Sequence, residues 1–258
     1  MVRLSIILPT CNRADLLRRA IESIHDGTSL AYELIVVDGA STDHTPQVLA
    51  EASAAMGSGL RVIREAQREG FVRAANRGFR EARGRFFTWL NDDARIVPGA
   101  LDMAAAQLEN SPPDVGLLAL FHRVNTTRNI AYETIRMGVP FRLLHVRGTL
   151  YANFGLGRRA TFENLGFFDE RYRFNAADPD FSLKVWDAGL RVVPACGSLI
   201  DHAEHADERR AADGANALAD NEKLFAKWDL PPRNPTVNDF DPARPCTLRG
   251  LRRAALAA

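Results

Sequence analysis

The chain has 258 residues, 46% hydrophobic and 25% charged, with 33 Lys plus Arg against 32 Asp plus Glu. Such a composition is that of an ordinary globular protein, able to bury a large core without staples. The even charge balance gives no support to nucleic-acid binding, and no apolar run approaches the ~20 residues of a membrane-spanning helix.

The opening "MVRLSIILPTCNR" is too short for a signal-peptide core with a cleavage site. Val2–Pro9 reads as a buried strand, and Arg13–Ile24 carries helical spacing at Leu16, Leu17, Ala20, Ile21 and Ile24. Tyr32–Asp38 is a second apolar strand. After the loop "GASTDHTP", Thr45 as a cap and Pro46 at the first helical position predict a helix to about Ala55. Leu60–Arg64 reads as a short strand, Gly70–Arg83 as a helix closed by Gly84, and Arg85–Leu90 as a strand. Pro98–Leu108 is a further helix and Val115–Phe121 a further strand. Residues 122–148 show no clear period. Beyond them Gly148–Phe154 is expected as a strand, and Arg159–Leu165, Asp180–Ala188 and Ala211–Trp228 as helices. A Pro-rich stretch from Pro231 to Pro245 reads as an irregular wrap or linker, followed by the basic tail "CTLRGLRRAALAA". The regular alternation of strand and helix predicts an α/β fold, a mostly parallel central sheet flanked by helices on both faces.

In such sheets ligands sit beyond the carboxyl ends of the strands. Here those ends carry Pro9-Thr10 with Asn12 and Arg13, then Asp38 with Ser41 and Asp43, then Asn91-Asp92-Asp93. Each polar residue alone is an ordinary helix cap or turn former. The adjacent acids Asp92 and Asp93 are different, because ionised neighbours repel and burial raises their cost. A divalent cation, Mg²⁺ or Mn²⁺, would compensate them, taking phosphate oxygens and water as further ligands. The chemistry that fits is metal-assisted handling of a diphosphate.

Four blocks in order resemble glycosyltransferase family 2, enzymes of the GT-A fold. They are "SIILPTCNRADLLRRAIESI", "ELIVVDGASTDHTPQVL", "GFVRAANRGFREARGRFFTWLNDDA" and "NLGFFDERYRFNAADPDFSLKVWDAGLRVV". The third carries Gly70, Phe71, Ala74, Asn76, Gly78 and Gly84 and ends in a version of the DXD motif. The resemblance implies a single GT-A domain over 1–230, with a nucleotide-sugar-binding half (1–121) and an acceptor half (122–230), and a tail over 231–258. It implies that Pro9, Thr10, Arg13, Asp38, Asn76, Asn91 and Asp92 bind the nucleotide sugar. Asp93 would be the direct metal ligand, and His202, preferred over His205 in "DHAEH", would reach the same divalent metal. Phe168, Asp169 and Glu170 would lie on the acceptor side, with Asp178 as the catalytic base. The chain departs from the family at Ala177, where Glu is usual, and at Arg68, where many relatives have Asn.

The implied reaction is a single displacement with inversion, moving a sugar from a nucleotide-sugar donor to an acceptor hydroxyl. UDP- and dTDP-sugars are favoured over GDP-sugars. The absence of membrane helices and of a Gln-x-x-Arg-Trp motif disfavours processive synthesis. The cysteines Cys11, Cys196 and Cys246 show neither metal spacing nor a disulfide framework, so a cytoplasmic setting is expected. The basic tail leaves peripheral membrane contact open. Two other classes stay open: a non-catalytic nucleotide-sugar-binding protein, and a sugar-phosphate nucleotidyltransferase. The second usually has a Gly-rich basic loop after the first strand, which "PTCNRADLL" lacks. "GLGRRA" at 155–160 matches a loose dinucleotide fingerprint but lies outside the clean strand–helix region, and no zinc spacing occurs.

Overall fold

The computed structural model describes residues 2–123, 130–202 and 208–230. Its strands are β1 (Leu4–Thr10), β2 (Tyr32–Asp38), β3 (Leu60–Arg64), β4 (Phe86–Trp89), β5 (Ala94–Ile96) and β6 (Val115–His122). They continue as β7 (Ile130–Arg136), β8 (Val139–Val146), β9 (Thr149–Tyr151), β10 (Gly155–Arg158) and β11 (Arg191–His202). The helices are α1 (Ala14–Gly27), α2 (Thr45–Met56), α3 (Phe71–Glu81), α4 (Ala100–Glu109), α5 (Arg159–Leu165), α6 (Ala177–Asp187) and α7 (Glu208–Trp228).

One sheet runs in the order β3-β2-β1-β4-β10-β6-β11-β5, with β8 paired to β6 and carrying β7 and β9. Strands β3, β2, β1 and β4 are parallel. The β6–β11 pair runs the same way, because β10 is antiparallel to both β4 and β6. The sheet is therefore mostly parallel, as expected, and crosses the boundary at residue 121 without interruption. Alternate residues of β1 serve two cores: Leu4, Ile6 and Leu8 one, Ile7 the other. Covering both faces explains why these strands read as continuous apolar runs.

Several boundaries lie where the sequence places them, among them Tyr32–Asp38, Leu60–Arg64 and Arg159–Leu165. The cap of α2 differs. Asp43, not Thr45, receives the helix N–H: its Oδ1 accepts from Thr45 N at 2.9 Å, and its Oδ2 accepts from Ala14 N, at the start of α1, at 3.1 Å. One carboxylate thus caps two helices. Burial alone would raise its pKa, but these bonds hold it below the ordinary value.

Four strands escape sequence reading. β5 is only three residues long. β10 holds Gly155 and Gly157, poor strand formers, whose absence of side chain is required by neighbours: a Cβ at Gly155 would come within 2.3 Å of the Trp89 ring, and one at Gly157 within 2.9 Å of the Phe162 ring. The glycines of the dinucleotide-like "GLGRRA" therefore serve packing. The β7–β8 hairpin turns at Met137 and Gly138, both at positive φ (53° and 74°). This hairpin turn usually announces itself as Asn-Gly or Asp-Gly, and Met hides it. The Pro-rich stretch and tail over 231–258, and His205, lie outside the described residues.

Candidate active site

Strands β1 and β2 pair in register from Leu4↔Tyr32 to Thr10↔Asp38, so their polar ends finish level. Beside them Leu90 N donates to Ile7 O at 2.9 Å, which brings the Asn91-Asp92-Asp93 turn to the same rim. The rim opens on a cavity of about 380 Å³ whose wall includes Pro9, Thr10, Arg13, Asn91, Asp92, Asp93, Asp178 and His202. Residues far apart in sequence, predicted as donor, metal and base groups, therefore share one cleft.

Both acids are buried, Asp92 3% and Asp93 7% exposed. The Arg13 guanidinium lies between them, with Nη1 2.9 Å from Asp92 Oδ1 and 3.2 Å from Asp93 Oδ2. Thr10 Oγ1 donates to Asp92 Oδ2 at 2.9 Å. Arg13 is itself buried, as an arginine is when its fork is used by carboxylates. Asp93 also meets β11: its Oδ1 lies 3.1 Å from His202 Nε2. The two atoms lie at hydrogen-bond distance, and the same pair of side chains would be the one to hold a cation. A carboxylate with phosphate oxygens suits either Mg²⁺ or Mn²⁺, and the added imidazole favours Mn²⁺ over the harder Mg²⁺. His202 Nδ1 is buried without a hydrogen-bond partner, and the described residues contain no group of three or more His, Cys, Asp or Glu side chains able to enclose a metal. Phosphate oxygens or water would complete the shell of a cation here.

Asp178 enters the same cavity from the first turn of α6. That helix begins three residues before the expected Asp180. Its entry is set by Ala176, at φ 66°, a left-handed conformation that costs a non-glycine residue energy and often marks functional sites. Asp178 Oδ1 is buried and accepts no hydrogen bond. Burial raises its carboxyl to about 8, against a smaller opposing effect of the Trp89 indole N–H. Ala177, where the family has Glu, is buried within the apolar core and is not a wall residue.

Other predicted residues stand elsewhere. Asn76, expected at the nucleotide sugar, is a buried clamp: its Nδ2 donates to Phe168 O (2.9 Å) and Glu170 Oε1 (3.1 Å), and its Oδ1 accepts from Phe168 N (3.0 Å). The residues expected on the acceptor side also lie outside the cavity wall. Phe168 packs edge-on to Trp89 and Phe181 in the core. Asp169 pairs with Arg171 and Lys227, and Glu170 with Arg80. The Gly-Phe-Asp-Glu segment is thus a structural fastener between α3, α6 and α7. Asp38 is 1% exposed and sits behind wall residue Gly39; its Oδ1 accepts from Ser41 N at 3.0 Å, while Oδ2 has no hydrogen bond. An Asn76→Ala variant is expected to lose about 2–3 kcal/mol of stability, because it strands the buried Phe168 amide and carbonyl. Denaturant melts should show this with nucleotide affinity unchanged; a selective loss of affinity would restore Asn76 to the site.

Sequence reading missed His122, Glu65, Arg68, Asn153 and Tyr151 as wall residues. His122 had a signal: it is the first polar residue after the apolar run of β6, at a carboxyl strand end. Arg68 pairs with Asp213 of α7. Asp220 of the same helix accepts through Oδ2 from the backbone N–H groups of Arg173, Phe174 and Asn175, fixing another stretch of the wall.

A mostly parallel sheet with helices on both faces, and an acid-lined cleft at its carboxyl edge, form the arrangement expected of a GT-A fold. The chain belongs to glycosyl transferase family 2, whose model matches residues 5–170. It is 26% identical over 241 residues to the glycosyltransferase YwdF of Bacillus subtilis (strain 168), covering 90% of this chain and 88% of that one. A PGL/p-HBAD biosynthesis glycosyltransferase of Mycobacterium tuberculosis (strain ATCC 25618 / H37Rv) is 29% identical over 223 residues, 85% of this chain and 82% of that one. Among solved structures, the mannosyltransferase PcManGT from Pyrobaculum calidifontis, in complex with GDP-Man and Mn²⁺, superposes with a TM-score of 0.67 at 20% identity. It covers 87% of this chain, which spans 63% of its length. TarS 1-349 from S. aureus, in complex with UDP-GlcNAc, gives 0.65 at 20% identity, with 82% and 61% covered. The protein is a glycosyltransferase. None of its described helices is long and apolar enough to cross a membrane.

Proposed function

We propose that this enzyme transfers a sugar from a nucleotide-sugar donor to an acceptor hydroxyl with inversion, aided by a divalent metal. The observation that carries the reading is the joint presence, in one cavity, of the Asp93–His202 pair and of Asp178, whose Oδ1 accepts no hydrogen bond and whose carboxyl is raised by burial. Asp93 and His202 would hold Mn²⁺ or Mg²⁺, which when bound neutralises charge developing on the departing diphosphate. Arg13, bridging Asp92 and Asp93, holds the two carboxylates in place. Asp178 Oδ1 accepts the proton of the acceptor hydroxyl as that oxygen attacks the anomeric carbon from the face opposite the diphosphate. The proton moves to Asp178 and the electron pair of the broken bond leaves with the diphosphate. No enzyme nucleophile is needed, and the displacement passes through an oxocarbenium-like state.

For the donor base we favour uracil or thymine, with Asp38, held beside the wall residue Gly39 and paired through Oδ2 with Arg64 at 3.6 Å, as the residue that the family resemblance assigns to the nucleotide. The compartment we propose is the reducing cytoplasm.

Thermal unfolding against UDP, dTDP, GDP and their sugar conjugates, each with and without Mn²⁺, tests the reading. Binding to the native state raises Tm by mass action. A metal-requiring shift with uridine or thymidine ligands is expected. No shift with any ligand would overturn the reading and favour a structural carboxylate pair.

A further inference from the structure

His122 is the least explained polar group in the cleft. It is 1% exposed, lines the cavity, and neither ring nitrogen makes a hydrogen bond. A neutral imidazole carries one donor and one acceptor, and buried polar groups are almost always satisfied.

Packing fixes the ring. Phe154 stands edge-on to His122 at 5.3 Å and to His202 at 5.1 Å, so one phenyl ring orients both imidazoles. The two imidazole centroids are 6.2 Å apart. His122 therefore stands one ring beyond the Asp93–His202 pair. Its strand runs between β10 and β11, and the adjoining wall holds Leu144, Tyr151 and Asn153. With the diphosphate at Asp93–His202, the base at Asp178 and the nucleoside toward Pro9, Thr10 and Arg68, the part of the cavity beside His122, Tyr151 and Asn153 is left for the transferred sugar.

Resting on the function proposed above, we infer that His122 hydrogen-bonds a hydroxyl of the transferred sugar and selects among nucleotide-sugar donors. A hydroxyl both donates and accepts, which complements a neutral imidazole held rigidly in a dry wall. A site built to bond a hydroxyl discriminates strongly against a donor lacking it, because the protein group is then left unpaired.

Titration calorimetry of the full chain with Mn²⁺ tests this, using UDP, dTDP and GDP and the glucose and 2-deoxyglucose conjugates of each. His122→Phe and His122→Asn are compared with wild type, and thermal melts verify that both variants fold. The expected result is unchanged nucleoside diphosphate affinity, with affinity for one sugar conjugate reduced about tenfold or more in His122→Phe. Equal weakening of diphosphate and conjugate, or no weakening of either, would overturn the assignment. If wild type binds none of the nucleotides, the function proposed above falls and takes this inference with it; binding in wild type with no selective loss in the variants sinks this inference alone.

Discussion

Replacing Asp178 with asparagine is expected to lower kcat/KM by about 10²–10⁴ while leaving nucleotide affinity intact, the magnitude general-base catalysis supplies. The amide keeps the shape of the carboxyl and cannot take the proton. In the wild type the base must be ionised, so activity should climb with pH, pass half its maximum near the raised value of about 8 and level off above it. The same burial predicts an opposite trend in stability. The folded-state pKa lies above the ordinary 3.8, so the stabilising contribution of the neutral acid is complete below 3.8 and is lost as pH rises through about 8. Asp178→Asn should therefore melt higher than wild type at pH 8–9, by ~2–8 °C for a gain of about 1–2 kcal/mol, and equal it near pH 4. Steady-state rates across pH and paired melting curves measure both. Full activity in the variant would remove Asp178 from the mechanism, and a lower alkaline Tm would contradict the burial argument.

Arg13→Met is expected to cost about 3–5 kcal/mol, because it removes the guanidinium from between two buried carboxylates and puts an apolar stem in its place. Part of that loss should be recovered by Mn²⁺, since a cation held at Asp93 and His202 replaces some of the missing positive charge. The Tm gain with Mn²⁺ should accordingly be larger in the variant than in wild type. Chemical denaturation with and without metal gives the numbers. A variant as stable as wild type would mean that the acids are compensated by other groups. A loss that Mn²⁺ leaves untouched would count against the metal assignment.

The two acids show what is and is not legible in a sequence. That Asp92 and Asp93 need compensation follows from Coulomb repulsion and could be read directly. That Arg13 provides compensation, from 80 residues away, depended on the register of β1 against β4. The motif glycines divide in the same way. Gly70, at φ 98°, lies where a Cβ would stand 2.5 Å from Arg173 O, and Gly78 where one would stand 2.6 Å from Ile7. Their spacing could be recognised in the chain, but the neighbours that demand it come from other segments. Asn76 and Phe168–Glu170 share the motif blocks with real wall residues, and no local feature separates a clamp from a ligand contact.

The sequence by itself determined the alternation of strands and helices, the mostly parallel sheet and the polar strand ends, because continuous apolar runs and helical spacing are local properties. It determined too which residue types could bind a cation or take a proton. Only the tertiary structure decided that β10 enters the sheet between β4 and β6, that the Gly-Phe-Asp-Glu segment is a fastener, and that His122 lines the cleft with neither ring nitrogen hydrogen-bonded. Each of those depends on which atoms of distant segments meet, and burial, hydrogen-bond satisfaction and pKa are properties of that meeting rather than of any residue's own chemistry.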